Sequence, residues 1–165
     1  MSAKIIAYSG VHGTGKTTSV YEAAAHYKKK GYNVGIILET ARKCPLPVLS
    51  LGCRTPSVEA QQWIFARQIQ EEIEAAMRHE VVITDRTVVD VIAYTRYFGY
   101  LSAAHEMQSM ATLRQYSEVR FKKMIENDYC IDDGFRYTEN PELRCVIERV
   151  MLETYQILNI PLIFD

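Results

Sequence analysis

Short apolar runs alternate along the chain with longer segments in which apolar residues recur every three or four positions. Short runs predict strands, whereas the helical spacing predicts amphipathic helices. The predicted strands cover residues 4–9, 33–39, 81–85, 117–124 and 160–164. The predicted helices cover residues 16–30, 56–79, 88–97, 102–114 and 141–158. For residues 117–124, a continuing helix is the alternative interpretation.

Particular residues indicate where the helices end and which face they bury. Gly31 is predicted to cap the carboxyl end of the first helix, and Asn159 that of the last helix. Pro56 suits the first position of the second helix. The stripe predicted to face the core on that second helix consists of Phe65, Ile69, Ile73, Ala76 and Met77.

The alternation of strands and helices predicts one α/β domain spanning residues 1–165. Strands that alternate with helices form a parallel sheet between two helical layers. We therefore expect a three-layer α/β/α fold with five parallel strands. Ligands of such sheets bind beyond the carboxyl ends of the strands. The candidate site accordingly lies just after residues 9, 38, 83 and 124.

The composition is that of an ordinary globular protein and argues against several classes of function. Of 165 residues, 48% are hydrophobic and 24% are charged, and the net charge is −1. A near-neutral total gives no general attraction to nucleic acid or to an anionic membrane. The sequence has no signal-peptide pattern, no run long enough to span a bilayer, and no cysteine spacing typical of a metal site or disulfide framework. A cytoplasmic protein is expected, and homodimerisation stays open.

The segment GVHGTGKT has the full Gly-x4-Gly-Lys-Thr spacing of a phosphate-binding loop, with a predicted strand before it and a helix after it. Its glycines permit backbone torsions that let the loop amides surround a β-phosphate. Lys16 supplies a cation for the β- and γ-phosphates, and Thr17 a hydroxyl for Mg²⁺. The expected fold is therefore that of a P-loop NTPase, and ATP and Mg²⁺ are the predicted cofactors. The candidate nucleotide-binding residues are Gly10, His12, Gly13, Thr14, Gly15, Lys16, Thr17 and Thr18.

Asp85 ends the third predicted strand, and Arg86 follows it directly. A carboxylate at this position is suited to hold Mg²⁺ or to orient an acceptor. Arg86 is either a bidentate phosphate clamp or half of a surface ion pair. Thr87 and Asp90 have capping-box spacing, so a structural role is favoured for Asp90.

Glu39 ends the second predicted strand and bears on the nature of the acceptor. A kinase that acts on a hydroxyl benefits from a carboxylate that accepts the departing proton, whereas a phosphate acceptor needs no base. Arg42, Lys43 and Arg54 follow in the same loop, and a phosphate-bearing acceptor would explain them. A plain ion pair between Glu39 and Arg42 is the third interpretation.

Residues 126–144 are polar, contain Gly134 and carry Arg136. Mobile arginine segments that close over a triphosphate exclude water and neutralise the transferring phosphoryl group. A small lid over about residues 125–140 is therefore predicted, with a surface loop as the alternative.

Four segments, GVHGTGKTT, ETARKCP, TDRTVVDVIAY and DDGFRYTENPELR, together resemble the small P-loop kinases related to the kinase domain of nicotinamide-nucleotide regulators. They are also similar to thymidylate-kinase-like and deoxynucleoside-kinase-like proteins. The resemblance implies that the Asp85 strand lies beside the phosphate-loop strand and that Arg136 lies on a lid. It also implies that the start of the second helix lines an acceptor pocket, with Trp63 stacking on a base or packing in the core.

The resemblance further implies phosphoryl transfer from ATP to a small-molecule nucleoside or nucleoside monophosphate. A nucleotide-binding switch that does not phosphorylate an acceptor is the alternative. The candidate catalytic residues are Lys16, Glu39, Asp85 and Arg136, with Thr17 and Asp85 as metal ligands. The candidate acceptor-binding residues are Glu39, Arg42, Trp63, Arg67 and Arg86. The Asp85-Arg86-Thr87 sequence departs from the Asp-Arg-Tyr form of thymidylate kinases, which argues against dTMP.

Overall fold

The computed structural model describes residues 3–114, 116–124 and 141–165. Strands and helices alternate along these ranges in the predicted order. They are β1 (Lys4–Ser9), α1 (Lys16–Lys29), β2 (Val34–Ile37), α2 (Val58–Arg78), β3 (Val81–Asp85), α3 (Val88–Tyr97), α4 (Leu101–Ala111), β4 (Glu118–Phe121), α5 (Pro141–Ile157) and β5 (Ile163–Phe164). A 3-10 turn at Thr40–Lys43, which the pattern did not predict, follows β2. None of the described helices has the length and apolar character needed to cross a membrane.

The five strands form one parallel sheet in the order β2-β3-β1-β4-β5. The predicted parallel sheet is therefore confirmed, and residues 117–124 contain a strand rather than a continuing helix. β1 lies at the centre, with Tyr8 paired to Asp85 of β3 and Ser9 paired to Phe121 of β4. This register places the end of β3 beside the loop that follows β1.

Both faces of the sheet are covered, which explains the unbroken apolar runs of its central strands. On one face, Ile6, Tyr8 and Ile83 pack with Val20 and Ala24 of α1. On the other face, the core joins the sheet to α2, α3, α4 and α5. The predicted three-layer arrangement follows from these two cores.

Two predicted boundaries are wrong in informative ways. β2 ends at Ile37, because its last pairing is with Thr84 of β3 and the chain then turns into the 3-10 segment. Glu39 is therefore two residues beyond the strand. Helix α2 begins at Val58 rather than at Pro56, because the Ser57 hydroxyl accepts a hydrogen bond from Ala60 N and forms the cap.

The predicted apolar stripe of α2 is also wrong in part. Ile73 and Met77 are 46% and 81% exposed. The buried face is rotated toward positions that carry polar residues, including Gln61, Gln68 and Glu72. Gln68 and Glu72 can be buried because hydrogen bonds satisfy their polar groups. The spacing of apolar residues cannot predict such positions.

The caps predicted after the first and the last helix are confirmed. Gly31 and Asn159 adopt the left-handed backbone conformation, with φ of 89° and 52°. Each residue reverses the chain directly after a helix, which is where this conformation commonly occurs.

Candidate functional site

The loop between β1 and α1 depends on a glycine at its first position. Gly10 has φ of 131°, a region that side chains rarely adopt. A Cβ at Gly10 would also lie 2.4 Å from the carbonyl oxygen of Lys122 on the neighbouring strand segment. Gly13 and Gly15 continue the loop with φ of 78° and 76°. The backbone path thus requires glycine where the motif has it.

The amino end of α1 is open toward this loop. Its cap residue is Gly15, which has no side chain, and its first turn contains no acidic residue. The first amides of a helix have no partner within the helix, and the helix dipole makes this end positive. An arrangement of this kind binds phosphate groups.

Lys16 is buried and directed back over the loop. Its ammonium donates to the carbonyl oxygen of Val11 at 2.6 Å and lies 3.4 Å from the hydroxyl of Thr14. Burial lowers the pKa of Lys16 to about 7, and the nearby charge of Arg86 adds to this effect. Within the described part of the chain, the hydrogen bonds of this ammonium go to neutral oxygens. An anion beside it would relieve the cost of its burial, so the position suits anion binding.

Thr17 and Asp85 lie together beside the loop. The Thr17 hydroxyl donates to Asp85 Oδ2 at 2.5 Å, across the gap between α1 and the end of β3. The other carboxylate oxygen, Oδ1, is buried and has no hydrogen-bond partner among the described residues. One hydroxyl, one carboxylate and an unsatisfied carboxylate oxygen fit Mg²⁺, which binds proteins through few oxygen ligands and completes its shell with water and phosphate.

Glu39 lines the same cavity as Lys16. Its Oε1 accepts from Arg86 Nε at 2.9 Å, and its Oε2 accepts from Arg42 Nε at 3.0 Å. The Glu39 and Arg86 side chains are largely buried, whereas Arg42 is 44% exposed. The predicted pairing of Glu39 with Arg42 is therefore present, but the buried partner is Arg86.

Arg86 connects the two walls of the site. Besides Glu39, its Nη1 donates to the carbonyl oxygen of Gly10 at 3.0 Å, and its guanidinium carbon lies 5.3 Å from the ring centre of Tyr94. Its backbone has φ of 90°, an uncommon conformation for a residue other than glycine. The interpretation of Arg86 as half of a surface ion pair is wrong, since the side chain is buried.

Asp90 lies behind Arg86 and joins three elements. Its Oδ1 accepts from the hydroxyls of Ser9 and Tyr155, and its Oδ2 lies 3.6 Å from Arg86 Nη1. Burial raises the pKa of Asp90, while Arg86 and the hydroxyl donors oppose that shift. Thr87 caps α3 by accepting from Asp90 N, as the capping-box spacing predicts. Asp90 therefore links the start of the glycine loop to α3 and α5.

The structure adds a polar residue of the site region that the sequence analysis missed, Gln68. Its Oε1 accepts from Thr40, the residue after Glu39, at 2.7 Å. Its Nε2 lies within hydrogen-bonding distance of Glu72, of Thr84 and of the carbonyl oxygen of Arg86. Gln68 thus ties both flanks of the Glu39–Arg86 pair to α2. The sequence feature that could have indicated this role is the spacing of Gln68 and Glu72, which lie four residues apart on the buried face of α2.

Two cavities meet at Arg86, and we name them the glycine-loop cavity and the apolar cavity. The first spans about 470 Å³, with the open solvent at its mouth included. It is lined by His12, Gly13, Gly15, Lys16, Thr17, Glu39, Arg42, Asp85 and Arg86. The second spans about 390 Å³ on the same basis. It is lined by Ala41, Val48, Leu49, Gln61, Ile64, Arg86, Val91, Tyr94 and Phe98.

The remaining candidate residues have different positions. His12 is buried, with Nδ1 3.3 Å from the hydroxyl of Tyr94. Trp63 packs against the main core and Arg67 pairs with Glu71, and neither residue lines the two cavities. Thr18 is exposed in the first turn of α1. Arg136 and the predicted lid lie outside the described residues.

A family model described as an AAA domain, AAA_28, matches residues 5–165. The chain belongs to this family. Membership agrees with the glycine loop and the parallel sheet, and it confirms the P-loop fold predicted above. No curated protein matches the chain.

Solved structures share the fold at low sequence identity. Thymidylate kinase from Ehrlichia chaffeensis is 14% identical with a TM-score of 0.70, and the match covers 100% of this chain and 93% of that one. The NadR protein in complex with NR is 18% identical with a TM-score of 0.68. That match covers 98% of this chain and 45% of the NadR chain. The chain therefore has a P-loop kinase-like fold.

Proposed function

We propose that this protein is an ATP- and Mg²⁺-dependent kinase that transfers the γ-phosphoryl group to a nucleoside or nucleoside monophosphate, with a nucleoside hydroxyl as the favoured acceptor. The observation that carries the proposal is the continuity of the site. Lys16 and Glu39 line the same cavity, and that cavity meets an apolar one at Arg86. A kinase needs room for a second substrate beside the phosphates, whereas a nucleotide switch does not.

The glycine-loop wall would hold the donor. Loop amides and the start of α1 bind the β-phosphate, and Lys16 contacts the β- and γ-phosphates. Thr17 and Asp85 would hold Mg²⁺, which when bound neutralises charge on the phosphate oxygens. Arg136 is proposed to contribute further positive charge from the lid. Most of the rate enhancement would come from positioning and electrostatics, since this reaction needs no covalent intermediate.

The Glu39 wall would hold the acceptor. Arg86 and Arg42 fix the two oxygens of the Glu39 carboxylate, so the group has a defined orientation toward the cavity. A fixed carboxylate can orient a hydroxyl and accept its proton as the phosphoryl group arrives. An anionic phosphate acceptor would instead be repelled by Glu39, which is why a hydroxyl is favoured.

Similar structures support the acceptor class. One is a thymidylate kinase, and the other is NadR in complex with NR. Both proteins are compatible with a small-molecule kinase on this fold. A monophosphate acceptor remains the second choice for this protein, because Arg42 lines the glycine-loop cavity and is partly exposed there.

The direct test is a coupled ADP assay of the purified protein with ATP, Mg²⁺ and a panel of nucleosides and their monophosphates. We expect ADP release that depends on one or a few nucleosides, with the phosphorylated product identified by mass spectrometry. Glu39→Gln should lower kcat by about 100-fold or more, the scale of general-base catalysis. Glu22→Gln, at an exposed position of α1, is the matched control. ADP release that is the same with and without every acceptor would contradict the kinase and favour the switch.

A further inference from the structure

Lys122 lies beside the glycine loop, on the side away from Asp85. It directly follows β4, which pairs with β1 on the edge opposite β3. Its backbone N–H donates to the carbonyl oxygen of Ser9 at 3.0 Å. Its carbonyl oxygen is the atom that a Cβ at Gly10 would approach to 2.4 Å. The backbone of Lys122 therefore flanks the first residue of the loop.

The side chain of Lys122 turns from this position toward α1. Its ammonium donates to the hydroxyl of Ser19 at 2.6 Å, a contact between residues 103 positions apart. Ser19 is buried near the start of α1, and Lys122 is partly buried. The ammonium is therefore held against the same end of α1 that lies open toward the glycine loop.

This ammonium has no carboxylate partner in the part of the chain that the structure describes. The nearest basic residues along the chain have partners of their own. Arg120 pairs with Glu118, and the Lys123 ammonium lies 4.4 Å from the ring centre of Phe164. A partly buried cation that bonds a neutral hydroxyl is incompletely compensated, and an anion beside it would form a stronger, charge-assisted bond. A phosphate is the anion that the adjoining loop is built to receive.

The two sides of the loop would receive different phosphates. Thr17 and Asp85, which are proposed to hold Mg²⁺ at the β- and γ-phosphates, lie on the β3 side. Glu39 lines the cavity on that side as well. Since the γ-phosphate faces β3, the α-phosphate leaves the loop on the other side, past the start of α1 and the end of β4. Lys122 places a positive charge at that end of the path.

We propose that Lys122 binds the α-phosphate of the donor nucleotide, with Ser19 holding its ammonium toward that group. The inference deepens the proposed function and rests on it only in taking the glycine loop as the donor site. Lys16 then serves the end of the triphosphate that reacts, and Lys122 serves the end that does not. The charge of the α-phosphate changes little during γ-transfer, so Lys122 contributes equally to the ground state and to the transition state.

Calorimetry of Lys122→Met tests the contact without any acceptor. We expect the Kd for Mg-ATP and for Mg-ADP to rise by about 10- to 100-fold, the scale of one hydrogen bond to a charged group. Mg-tripolyphosphate, which has three phosphates and no nucleoside, should lose affinity by the same factor. The matched control is Lys123→Met at the exposed neighbouring position, which should stay within about twofold of the wild type.

Steady-state kinetics supplies a readout that a merely structural residue would not give. Lys122→Met should raise the KM for ATP, with kcat within about threefold of the wild type and the KM for the acceptor unchanged, the pattern of uniform binding. Lys122→Arg keeps the positive charge and should recover most of the affinity. Ser19→Ala, which removes only the orienting hydroxyl, should raise the KM for ATP by about threefold. These two variants carry the test if Lys122→Met does not fold.

The outcomes separate this inference from the proposed function. Weaker binding of ATP, ADP and tripolyphosphate by Lys122→Met, without transfer to any acceptor, would contradict the kinase and support the contact. Unchanged affinities, or a loss for nucleotides that tripolyphosphate does not share, would overturn the contact with the α-phosphate. A fall in kcat as large as the fall in kcat/KM, or equal losses in Lys122→Met and Lys122→Arg, would overturn it too. Failure of the wild type to bind any of the three ligands would overturn both.

Discussion

The two walls of the glycine-loop cavity are built in different ways. The donor wall, from Gly10 to Thr17, is held mainly by its own backbone, with glycines in left-handed conformations and Lys16 bonded to Val11 within the loop. The acceptor wall, around Glu39, is held by side chains from distant parts of the chain. Glu39 is fixed by Arg86, and the next residue, Thr40, is fixed by Gln68.

The two walls should therefore differ in their sensitivity to substitutions elsewhere in the protein. Local backbone geometry protects the donor wall from changes elsewhere in the protein. The acceptor wall depends on a buried polar network, in which the loss of one member leaves its partners unsatisfied. Substitutions far from the cavity should therefore disturb acceptor binding more than nucleotide binding.

The largest expected effect comes from removing the one cation of the donor wall. Lys16→Ala should lower kcat/KM by at least about a thousandfold, since a cationic contact to the transferring phosphate is lost. The fold should remain intact, because Lys16 is held in the folded state with a lowered pKa and so contributes no stability as a charge. The coupled ADP assay and thermal unfolding measure the two quantities.

Lys28→Ala, at an exposed position of the same helix, controls for loss of a lysine and should keep full activity. Turnover of Lys16→Ala within tenfold of the wild type would contradict the role of this wall.

Removing Arg86 breaks the connection between the walls. Arg86→Ala removes the buried cation from Asp90 and from Glu39, which keeps its pairing with the partly exposed Arg42, so we expect a loss of about 3–5 kcal/mol in the free energy of unfolding. Arg86→Ala combined with Glu39→Gln should lose less than the sum of the single variants, since the charge of Glu39 is then absent. Urea unfolding of the four proteins measures this coupling.

Arg149→Ala, on an exposed part of α5, should stay within about 0.5 kcal/mol of the wild type. Additive losses in the Arg86 and Glu39 variants would mean that the buried pair does not join the two walls.

Gln68→Leu tests whether the acceptor wall depends on the remote network. It removes one hydrogen bond each from Thr40, Thr84 and Glu72 and should cost about 1–3 kcal/mol of stability. Because Thr40 adjoins Glu39, we expect a severalfold rise in the KM for the acceptor with the KM for ATP unchanged. Steady-state kinetics with each substrate varied in turn separates the two.

Gln70→Leu supplies the exposed control, since Gln70 lies on the solvent side of the same helix. Equal increases in both KM values for Gln68→Leu would remove the distinction between the walls.

The smallest expected effect is a pH dependence of nucleotide affinity on the donor wall. Lys16 has a pKa of about 7 in the ligand-free protein, and a bound triphosphate would raise it. Above pH 7 binding must then take up a proton, so the contribution of Lys16 to affinity falls by up to about tenfold per pH unit. Calorimetry of Mg-ATP binding in two buffers of different ionisation enthalpy measures the proton uptake.

The lowered pKa of Lys16 also makes the stability of the ligand-free protein depend on pH. Between pH 7 and 10.5 the unfolded chain holds the Lys16 proton that the folded ligand-free protein has released, so this group makes stability rise with pH in that window. Lys16→Ala should abolish both effects, and equal proton uptake by this variant and the wild type would assign the proton to another group.

The wall built from a local motif could be predicted from the sequence, whereas the wall built from long-range side-chain contacts could not. The glycine loop is a local motif, and the family resemblance implies that the Asp85 strand lies beside the phosphate-loop strand, so the neighbourhood of Lys16 and Asp85 could be predicted. The burial of Arg86 could not, because it depends on Glu39, 47 positions earlier in the chain.

Helix α2 shows the physical limit of pattern analysis. Its predicted stripe assumes that buried positions are apolar, yet Gln68 and Glu72 are buried and Met77 is exposed. Glu72 is held by Arg114 and Tyr116, which approach from a segment far along the chain. Burial raises the pKa of Glu72, and the bonds from Gln68, Arg114 and Tyr116 oppose that rise. Such partners become visible only when the tertiary structure is known.

The central claim is that the two walls hold the donor and the acceptor of one phosphoryl transfer. A crystal structure with a non-hydrolysable ATP analogue, Mg²⁺ and the preferred nucleoside tests it most directly. The γ-phosphate should contact Lys16, and the acceptor hydroxyl should lie about 2.6–3.2 Å from a Glu39 oxygen, the reach expected of a general base. A complex with the adenine of the ATP analogue in the apolar cavity, or with the acceptor bound away from Glu39, would contradict the claim.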